Sequence, residues 1–413
     1  MFLIDMKNSL KFILNFFYFV NLSDKIIMRK IVIFVLFGLF SIYAENFFYY
    51  DFKDIKILKI AVRANYKIYI NNKYQGLYTK EYKAILNINK SNIFNFNGIL
   101  FKLDKILKNG IHTGYKVNNI ENIIFSIDKN GVFIEENNIF PLIQGALYFP
   151  ENLDIEKPYS NNGKAIINIE NEDFLLPIKI TTLYSGKEKL WGETYESFTS
   201  TYSYYDIPEE IKEKIKEAKG IHKLKIYFDN NKGMPVYIED HFTEEFYLNE
   251  KNIKRSGFYL FFYTIVEEMN KDEIIKDLTD DKIIAEKDKD YIKIEKRKEG
   301  IALILENLLF KPNTSELLGS EYEKIDKIFE ILSKIKNRTF LIIGHTALAG
   351  TYEEQMNLSL ERAKVVAESL IKKGINPEQI LYTGKGATEP VAPNDTEENM
   401  RKNRRVEIII LED

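Results

Sequence analysis

Apolar positions in the last quarter of the chain alternate between strand-like runs and helix-like spacings. Continuous apolar runs at 299–306, 338–344, 380–384 and 405–411 predict four strands. Spacings of three and four residues predict one helix through Ile325, Ile328, Leu332 and Ile335, and a second over 353–373 with Ala363, Val366, Ala367 and Leu370 on its buried face. Gly374 fits the left-handed cap of the second helix. The pattern therefore predicts a compact α/β sandwich with its helices on one face.

The segment from 45 to 290 has a different pattern, with many short alternating runs separated by turn residues. Hairpins are predicted at 66–76, around an Asn-Asn turn, and at 222–239. Leu224, Ile226 and Phe228 alternate with polar residues, which is typical of a sheet wetted on one side. One short helix is predicted over 208–220, because Pro208 suits a first turn and Gly220 suits an end.

Breaks in the pattern divide the chain into domains. Turn-rich sequence near residue 150 indicates two β-rich domains, 45–150 and 151–275. A charged linker is expected at 276–292, and the α/β domain occupies 293–413. The fold class predicted is α+β multidomain, with the β-rich region first and the α/β sandwich last.

Composition excludes several classes of protein. The chain has 413 residues, a net charge of −3 and no cysteine, which removes disulfides, thiolate metal sites, cysteine nucleophiles and a lipid-modified cysteine. Residues 1–44 hold five basic and two acidic side chains, so the rest of the chain is mildly acidic. A nucleic-acid partner would need a clustered basic face, and none is expected. The four histidines are scattered, so neither a metal nor a cofactor is expected.

The N-terminus has the three parts of a secretory signal. Met28-Arg-Lys is followed by an apolar run at 31–40 and by the small residue Ala44, after which cleavage is expected. The run is shorter than the ~20 residues of a spanning helix. A membrane anchor that also uses the apolar segment 10–20 is the alternative. We expect a signal peptide at 28–44, with 1–27 as an extension upstream of the true start.

Catalytic motifs are sparse in the β-rich region. Trp191, the single tryptophan, is expected to be a core anchor, with a sugar-stacking platform as the alternative. Glu193 and Glu196 offer paired carboxylates for an envelope hydrolase, but on a strand they would point to opposite faces. We therefore expect a protein that is not an enzyme.

A series of motifs in the last domain carries a family resemblance. These are Gly344-His-Thr, Leu358-Ser-Leu-Glu-Arg-Ala, Gly374-Ile, Gly384-Lys-Gly with Pro390, and Asn403-Arg-Arg-Val-Glu-Ile. In this order they resemble the OmpA-like C-terminal domain over about residues 290–413, and the resemblance does not extend to the middle. It implies a βαβαβ-type fold, with helices packed on a mixed sheet. It also implies a periplasmic location, in association with the cell wall or outer membrane, and non-covalent binding to the peptide stem of peptidoglycan.

The resemblance also implies site residues. The family ligand is a diaminopimelate side chain, whose carboxylate an arginine binds in bidentate fashion, and Arg362 matches that arginine. Asn313, in a Phe-x-x-Asn-x-Ser loop, resembles a family contact position, and Thr346 precedes the ligand position. Two residues depart from the family: Ala347 stands where the family has an aspartate for the ligand ammonium, and Gln355 replaces an asparagine.

Three interpretations of this site stay open. The domain binds a peptidoglycan of a non-diaminopimelate type, with Glu353 or Glu354 supplying the missing charge; or it binds weakly through Arg362, Asn313 and backbone groups; or it has lost the ligand and Arg362 forms a structural ion pair. In the last case the domain would serve as a protein-interaction or envelope-assembly module. His345, Arg404 and Arg405 are expected to be structural.

The leading functional prediction is a structural or tethering protein of the cell envelope. Its β-rich middle would contact other envelope proteins. The alternative architecture is an outer-membrane β-barrel above a periplasmic OmpA-like domain, although barrel strands need about 9–11 residues and the apolar runs here are shorter.

Overall fold

The computed structural model describes residues 48–413 except 109, 136–139, 171, 281–290, 307, 309 and 312–313. The predicted extension, the predicted signal peptide and most of the predicted linker lie outside these residues. In the part of the chain that is described, no helix is both long and apolar enough to cross a membrane.

Within the described chain, residues 57–266 form one antiparallel sheet of twelve strands. The strands are β1 (Ile57–Ile70), β2 (Lys73–Lys90), β3 (Phe94–Lys108), β4 (Ile111–Ile127), β5 (Phe133–Glu135), β6 (Ile143–Gln144), β7 (Tyr159–Ile169), β8 (Glu172–Leu190), β9 (Glu193–Tyr204), β10 (Ile215–Asp229), β11 (Met234–Leu248) and β12 (Asn252–Val266). Their spatial order is β5-β4-β3-β2-β1-β12-β11-β10-β9-β8-β7-β6. Since β1 pairs with β12, the boundary expected near residue 150 does not separate two sheets.

The predicted hairpins are confirmed, and the strands are longer than expected. Asn71 and Asn72, with φ of 49° and 63°, form the tight turn between β1 and β2. These positive φ values match the right-handed twist of the flanking strands. β8 runs for 19 residues, well beyond the short strands that the turn-rich sequence indicated.

The helix predicted over 208–220 is wrong. Only Glu209–Ile211 forms a single 3₁₀ turn, and β10 begins at Ile215. Gly220 lies in the strand opposite Glu244, and a Cβ at this glycine would be 2.6 Å from the Tyr204 ring. The glycine therefore leaves space for an aromatic ring and does not end a helix. Pairing with β11 overrides the local helical preference.

The C-terminal part is the predicted α/β sandwich. Its strands are β13 (Ile292–Arg297), β14 (Gly300–Glu306), β15 (Phe340–Gly344), β16 (Ile380–Gly384) and β17 (Arg405–Leu411), in the order β13-β14-β17-β15-β16. The helices are α1 (Lys271–Asp280), α2 (Tyr322–Lys334), α3 (Tyr352–Lys373) and α4 (Glu397–Asn403). β15 and β16 are parallel and the other pairs are antiparallel, so the sheet is mixed. Neither β13 nor α4 was predicted, and α1 overlaps the start of the expected linker.

The sheet of the sandwich is covered on both faces. α2 and α3 pack on one face through Ile325, Ile328, Val366 and Leu370, as the periodicity predicted. The other face packs on β3 and β4: Ala302, Ile304, Leu341, Ile343, Leu381, Ile409 and Leu411 meet Phe101, Leu103, Tyr115 and Val117. β16 also pairs in parallel with β4, where Leu381 lies opposite Tyr115. The α/β part is therefore joined to the β-rich part by a continuous sheet and a shared core.

Candidate functional site

The site is built where β15 and β16 end under α3. A Cβ at Gly344 would lie 2.1 Å from the Ser359 carbonyl oxygen, and a Cβ at Gly384 would lie 2.4 Å from Leu360 N. Only glycine allows the helix backbone to approach both strand ends so closely. Ser359 Oγ accepts a hydrogen bond from Gly386 N at 2.9 Å, which fixes the loop after β16 to the same helix. The two glycine motifs thus place two loops beside one face of α3.

The loop after β15 is held by backbone hydrogen bonds. His345 N donates to Arg405 O at 2.9 Å and Thr346 N donates to Gly386 O at 2.8 Å. The Thr346 hydroxyl is buried and has no hydrogen-bond partner within the described residues. Ala347 is also buried. Because its side chain is a methyl group, the loop has no carboxylate at the position where the family has an aspartate.

Glu354 is engaged at the start of α3. Thr351 Oγ1 accepts a hydrogen bond from Glu354 N at 3.2 Å, and Glu354 Oε2 accepts one from Thr351 N at 2.8 Å, which together make a capping box. These hydrogen bonds from Thr351 hold the pKa of Glu354 below its ordinary value. Of the two carboxylates that were expected to replace the missing aspartate, Glu354 is therefore used by the helix cap.

Gln355 lies one residue further along α3 and faces the two loops. Its Nε2 donates to Gly350 O at 3.1 Å, and its Cβ would be 3.2 Å from a Cβ built on Gly386. Gln355 is buried, and its amide closes the loop between β15 and α3. The structure thus places two predicted site residues, Gln355 and Thr346, beside the loop between β15 and α3.

Arg362 lies two helical turns beyond Gln355 on the same face of α3. Its side chain is only 8% exposed. Its Nε donates to Thr314 O at 3.3 Å, and its guanidinium carbon is 4.8 Å from the centre of the Phe310 ring. Burial, assisted by the positive charge of Arg404, lowers the pKa of Arg362. Throughout the described residues, no carboxylate lies within ion-pair distance of Arg362.

The loop that holds Arg362 is itself ordered by hydrogen bonds. Phe310 bridges to Leu317, Lys311 N donates to Glu316 O at 2.8 Å, and Thr314 N donates to Lys311 O at 3.0 Å. Asn313, predicted as a ligand contact, lies outside the described residues. The roles of the Thr314 carbonyl and the Phe310 ring were not predicted. Phe310 opens the Phe-x-x-Asn-x-Ser pattern, which was the available signal, but a backbone carbonyl leaves no trace in a sequence.

A buried charge network braces the neighbouring strand. Arg405 Nε and Arg297 Nη1 donate to the two carboxylate oxygens of Glu407 at 2.7 and 2.6 Å. His345 Nε2 lies 3.6 Å from Glu407 Oε1, but burial, together with the charge of Arg405, lowers the pKa of His345 to about 4, so the ring is neutral at pH 7. Arg404 pairs with Glu397. Arg404 and Arg405 thus have carboxylate partners, whereas neither ring nitrogen of His345 has a hydrogen-bond partner among the described residues.

The aromatic prediction in the β-rich region needs correction. Trp191 is 65% exposed and is not a core anchor. It occupies the tip of the β8–β9 hairpin with φ of 52°, followed by Gly192 with φ of 91°, and a two-residue turn leaves its side chain outside the core. Glu193 is exposed and Glu196 is buried, where it accepts a 2.6 Å hydrogen bond from the Tyr184 hydroxyl. The two carboxylates do not face a common substrate.

These observations define a class of domain: an α/β sandwich with glycine-tightened loops and a buried arginine that lacks an anionic partner among the described residues. Comparison with protein families matches residues 309–404 to the OmpA family. The motifs thus predicted the family that residues 309–404 match, while residues 1–308 and 405–413 lie outside the match.

Individual relatives share the same part of the chain. Motility protein B of Helicobacter pylori (strain ATCC 700392 / 26695) is 35% identical over 113 residues, which are 26% of this chain and 44% of that protein. Peptidoglycan-binding protein ArfA of Mycobacterium tuberculosis (strain CDC 1551 / Oshkosh) is 32% identical over 103 residues, 25% of this chain and 32% of that protein. The chain thus spans less than half the length of these curated relatives.

One solved structure is similar at higher identity. It is an outer membrane protein from Borrelia burgdorferi B31, 40% identical, and the match covers 29% of this chain and 96% of that one with a TM-score of 0.25.

Proposed function

We propose that the protein is a non-enzymatic component of the cell envelope that associates with peptidoglycan through the surface around Arg362. The domain family and its relatives support an envelope role associated with peptidoglycan. Export to the periplasm by the signal peptide at 28–44 is part of this proposal, as is contact of the β-rich region with other envelope proteins.

One observation carries the proposal: Arg362 is a buried cation with no anionic partner among the residues described. A buried charge is costly unless it is paired, and the Thr314 carbonyl and the Phe310 ring compensate it only in part. A ligand carboxylate would complete the pairing, and the planar guanidinium matches a carboxylate in bidentate geometry. The stem peptide of peptidoglycan supplies such carboxylates.

The recognition proposed is centred on the carboxylate of the stem residue and not on its ammonium group. Ala347 supplies no acid, and Glu354 is used by the helix cap. Glu353, which is exposed in the first turn of α3, is the acid left for a cationic stem group. A wall of a non-diaminopimelate type, such as one with ornithine, therefore fits this site where the end of the stem peptide supplies the free carboxylate, because the ornithine side chain carries an ammonium and no carboxylate.

Co-sedimentation with purified sacculi tests the proposal. The protein should comprise residues 45–413, because a fragment restricted to the α/β part would expose the apolar face that β3 and β4 cover. We expect the wild type to sediment with sacculi and Arg362→Ala to bind about 10 to 100 times more weakly, the loss typical of one charged hydrogen-bonding group.

Lys364→Ala is the matched control. Lys364 is two residues from Arg362, on a different face of α3, and pairs with Glu361 at 3.5 Å. It should bind as the wild type does. Equal sedimentation of all three proteins would remove Arg362 from the site. No sedimentation by any of them, on ornithine or diaminopimelate walls, would favour a protein-interaction module that keeps the family fold without the ligand.

A further inference from the structure

A second cavity lies on the other side of the α/β part, away from the loops around Arg362. Its volume is about 580 Å³, within the range of small-molecule sites. One wall comes from Lys59 of β1 and Lys83 of β2, and the other from the α2–β15 connection with Lys336 and Arg338 and from the turn before β16 with Glu378. The cavity therefore sits where the β-rich part meets the α/β part, and both contribute residues.

The lining of this cavity is strongly basic. Lys59, Lys83, Lys336 and Arg338 face a single acid, Glu378. The Glu378 carboxylate is already engaged, since it accepts hydrogen bonds from the Tyr115 hydroxyl at 2.5 Å and from Arg63 at 3.0 Å. Glu378 therefore does not neutralise the four cations that line the cavity.

Two of the four cations have partners outside the cavity. Lys59 Nζ is 3.3 Å from Asp413 Oδ2, and Arg338 donates to the main-chain oxygens of Asp413 and Glu267 at 3.3 and 3.1 Å. The guanidinium of Arg338 is thus held in place, with both terminal nitrogens in use. It contributes charge to the cavity, and these main-chain contacts fix its orientation.

Lys83 and Lys336 lack ion-pair partners within the described part of the chain. The Lys83 ammonium donates to the Glu378 carbonyl at 3.1 Å and lies 5.0 Å from the centre of the Tyr115 ring. Burial lowers the pKa of Lys83 below the ordinary lysine value. Lys336 is exposed at the rim. These two lysines are the free positive charges of the cavity.

The lysines are not needed to cap the nearby helix ends. At the end of α2, Ile335 N donates to Leu332 O at 3.0 Å. At the end of α3, Gly374 N donates to Ile371 O at 3.0 Å and Ile375 N donates to Leu370 O at 3.1 Å. The chain itself therefore donates to these three terminal carbonyls, and the lysines are not needed to cap them.

We propose that this cavity binds the phosphate group of a small soluble phosphate ester, with Lys83 and Lys336 as its principal ligands. Ammonium groups act as point charges and suit the multiply charged, tetrahedral phosphate group, whereas a planar carboxylate favours an arginine fork. The cavity has room for the organic part of such a molecule. This proposal is independent of peptidoglycan binding and of Arg362.

Thermal unfolding and calorimetric titration of the full chain test the proposal. Inorganic phosphate and glucose 6-phosphate, each compared with chloride at equal ionic strength, should raise the Tm with concentration, because a ligand of the folded state stabilises it by mass action. Lys336→Ala and Lys83→Gln should each weaken binding about tenfold. Lys336 is exposed at the rim, so its variant should fold as the wild type does even where Lys83→Gln does not.

Lys67→Ala is the matched control. Lys67 is exposed on β1, eight residues from Lys59 and roughly 26 Å along the strand from the cavity. Its variant should bind phosphate as the wild type does. Equal binding by Lys67→Ala and Lys336→Ala would overturn the proposal, as would no response to either phosphate.

A membrane source for the phosphate is tested separately. Vesicles of phosphatidylcholine containing phosphatidic acid should not capture the chain at physiological ionic strength. The lysines line a concave cavity, and headgroups held in a bilayer surface do not enter it. Capture by these vesicles without any response to soluble phosphates would overturn a soluble ligand in favour of a lipid headgroup.

Discussion

The Tyr115 hydroxyl donates a 2.5 Å hydrogen bond to Glu378 Oε2 and so joins the β-rich part to the α/β part of the chain. Arg63 and Lys105 reach the same carboxylate at 3.0 and 3.2 Å. Burial alone would raise the pKa of Glu378, but the hydrogen bonds from Tyr115 and Lys105 outweigh it and lower the pKa. One acid of the α/β part thus anchors side chains from three strands of the β-rich part, β1, β3 and β4.

Glu378→Gln should lower the free energy of unfolding by about 1 kcal/mol, the usual loss for a partly exposed charged hydrogen bond. Because the folded pKa of Glu378 is depressed, its contribution is present above the ordinary glutamate value of 4.5 and is lost as the pH falls through the folded pKa. Urea unfolding at pH 7 measures the loss. Glu398→Gln, whose partner Lys402 is 3.2 Å away on an exposed face, should change stability little. Equal losses in both variants would contradict the anchoring role.

Gly344→Ala should prevent correct folding of the α/β part. The added Cβ would lie 2.1 Å from Ser359 O, and backbone on both sides leaves no flexible atom to move away. We expect a loss of at least about 3 kcal/mol, measured by chemical denaturation or seen as insoluble protein. Gly319→Ala is the control, since a Cβ there would meet nothing within 4 Å. A stable, soluble Gly344→Ala protein would show that α3 does not press on the strand ends as described.

The α/β part was predictable from the sequence because its signals are local. Periodicity placed α2 and α3, and the apolar runs placed β14 to β17 within two residues. The second apolar face of this sheet was not anticipated, because Leu341 and Leu381 read as buried strand residues whichever element covers them. That face is covered by β3 and β4, which lie more than 200 residues before Leu341 and Leu381 in the chain and meet them only in the tertiary structure.

The errors in the β-rich part share a physical cause. Gly220 and Trp191 were interpreted from local preference, as a helix end and as a core residue. Strand pairing decided both: Gly220 leaves room for Tyr204, and Trp191 falls in a two-residue turn. At the candidate site, Arg362, Thr346 and Gln355 were identified from motifs. The role of Glu354 in the helix cap was missed, although Thr351 and Glu354 have the spacing of a capping box.

His222 should make stability depend on pH between about 6.5 and 9. Its ring nitrogens lie 2.8 Å from Asp240 Oδ2 and 3.2 Å from Glu244 Oε1 inside the β-rich core. Burial opposes the charged ring, but these carboxylates outweigh it and raise the pKa of His222 from its ordinary value of 6.5 to about 9. The charged ring contributes up to about 3 kcal/mol to the free energy of unfolding. This contribution is full below pH 6.5 and is lost as the pH rises through 9.

The opposite dependence is expected from Glu244 in acid. Burial would raise its pKa, but Arg255 and His222 outweigh it and lower the pKa to about 2, so its contribution to stability is lost as the pH falls from 4.5 toward 2.

Denaturant unfolding from pH 6 to 9.5 tests the His222 prediction: it should show the loss of stability in the wild type and a flatter profile in His222→Gln. Asp240→Asn should be intermediate and gives a second variant. An unchanged slope in a folded variant would exclude His222 as the titrating group.

Trp191 should report an exposed position. As the single tryptophan, at 65% exposure, it should emit at long wavelength and be quenched efficiently by acrylamide in the folded protein. Trp191→Phe should change the free energy of unfolding by less than about 0.5 kcal/mol, because the side chain leaves no cavity in the core. A blue-shifted, protected emission would support the core position that the sequence suggested.

We expect Arg362 to receive a carboxylate of the peptidoglycan stem peptide. The most direct measurement is calorimetric titration of the full chain with a soluble muropeptide whose stem carboxylate is free, and with the same muropeptide amidated at that carboxylate. The wild type should prefer the free carboxylate by at least about tenfold, and Arg362→Ala should bind both forms equally weakly. Equal affinity of the wild type for the two muropeptides, or an undiminished preference in Arg362→Ala, would contradict the claim.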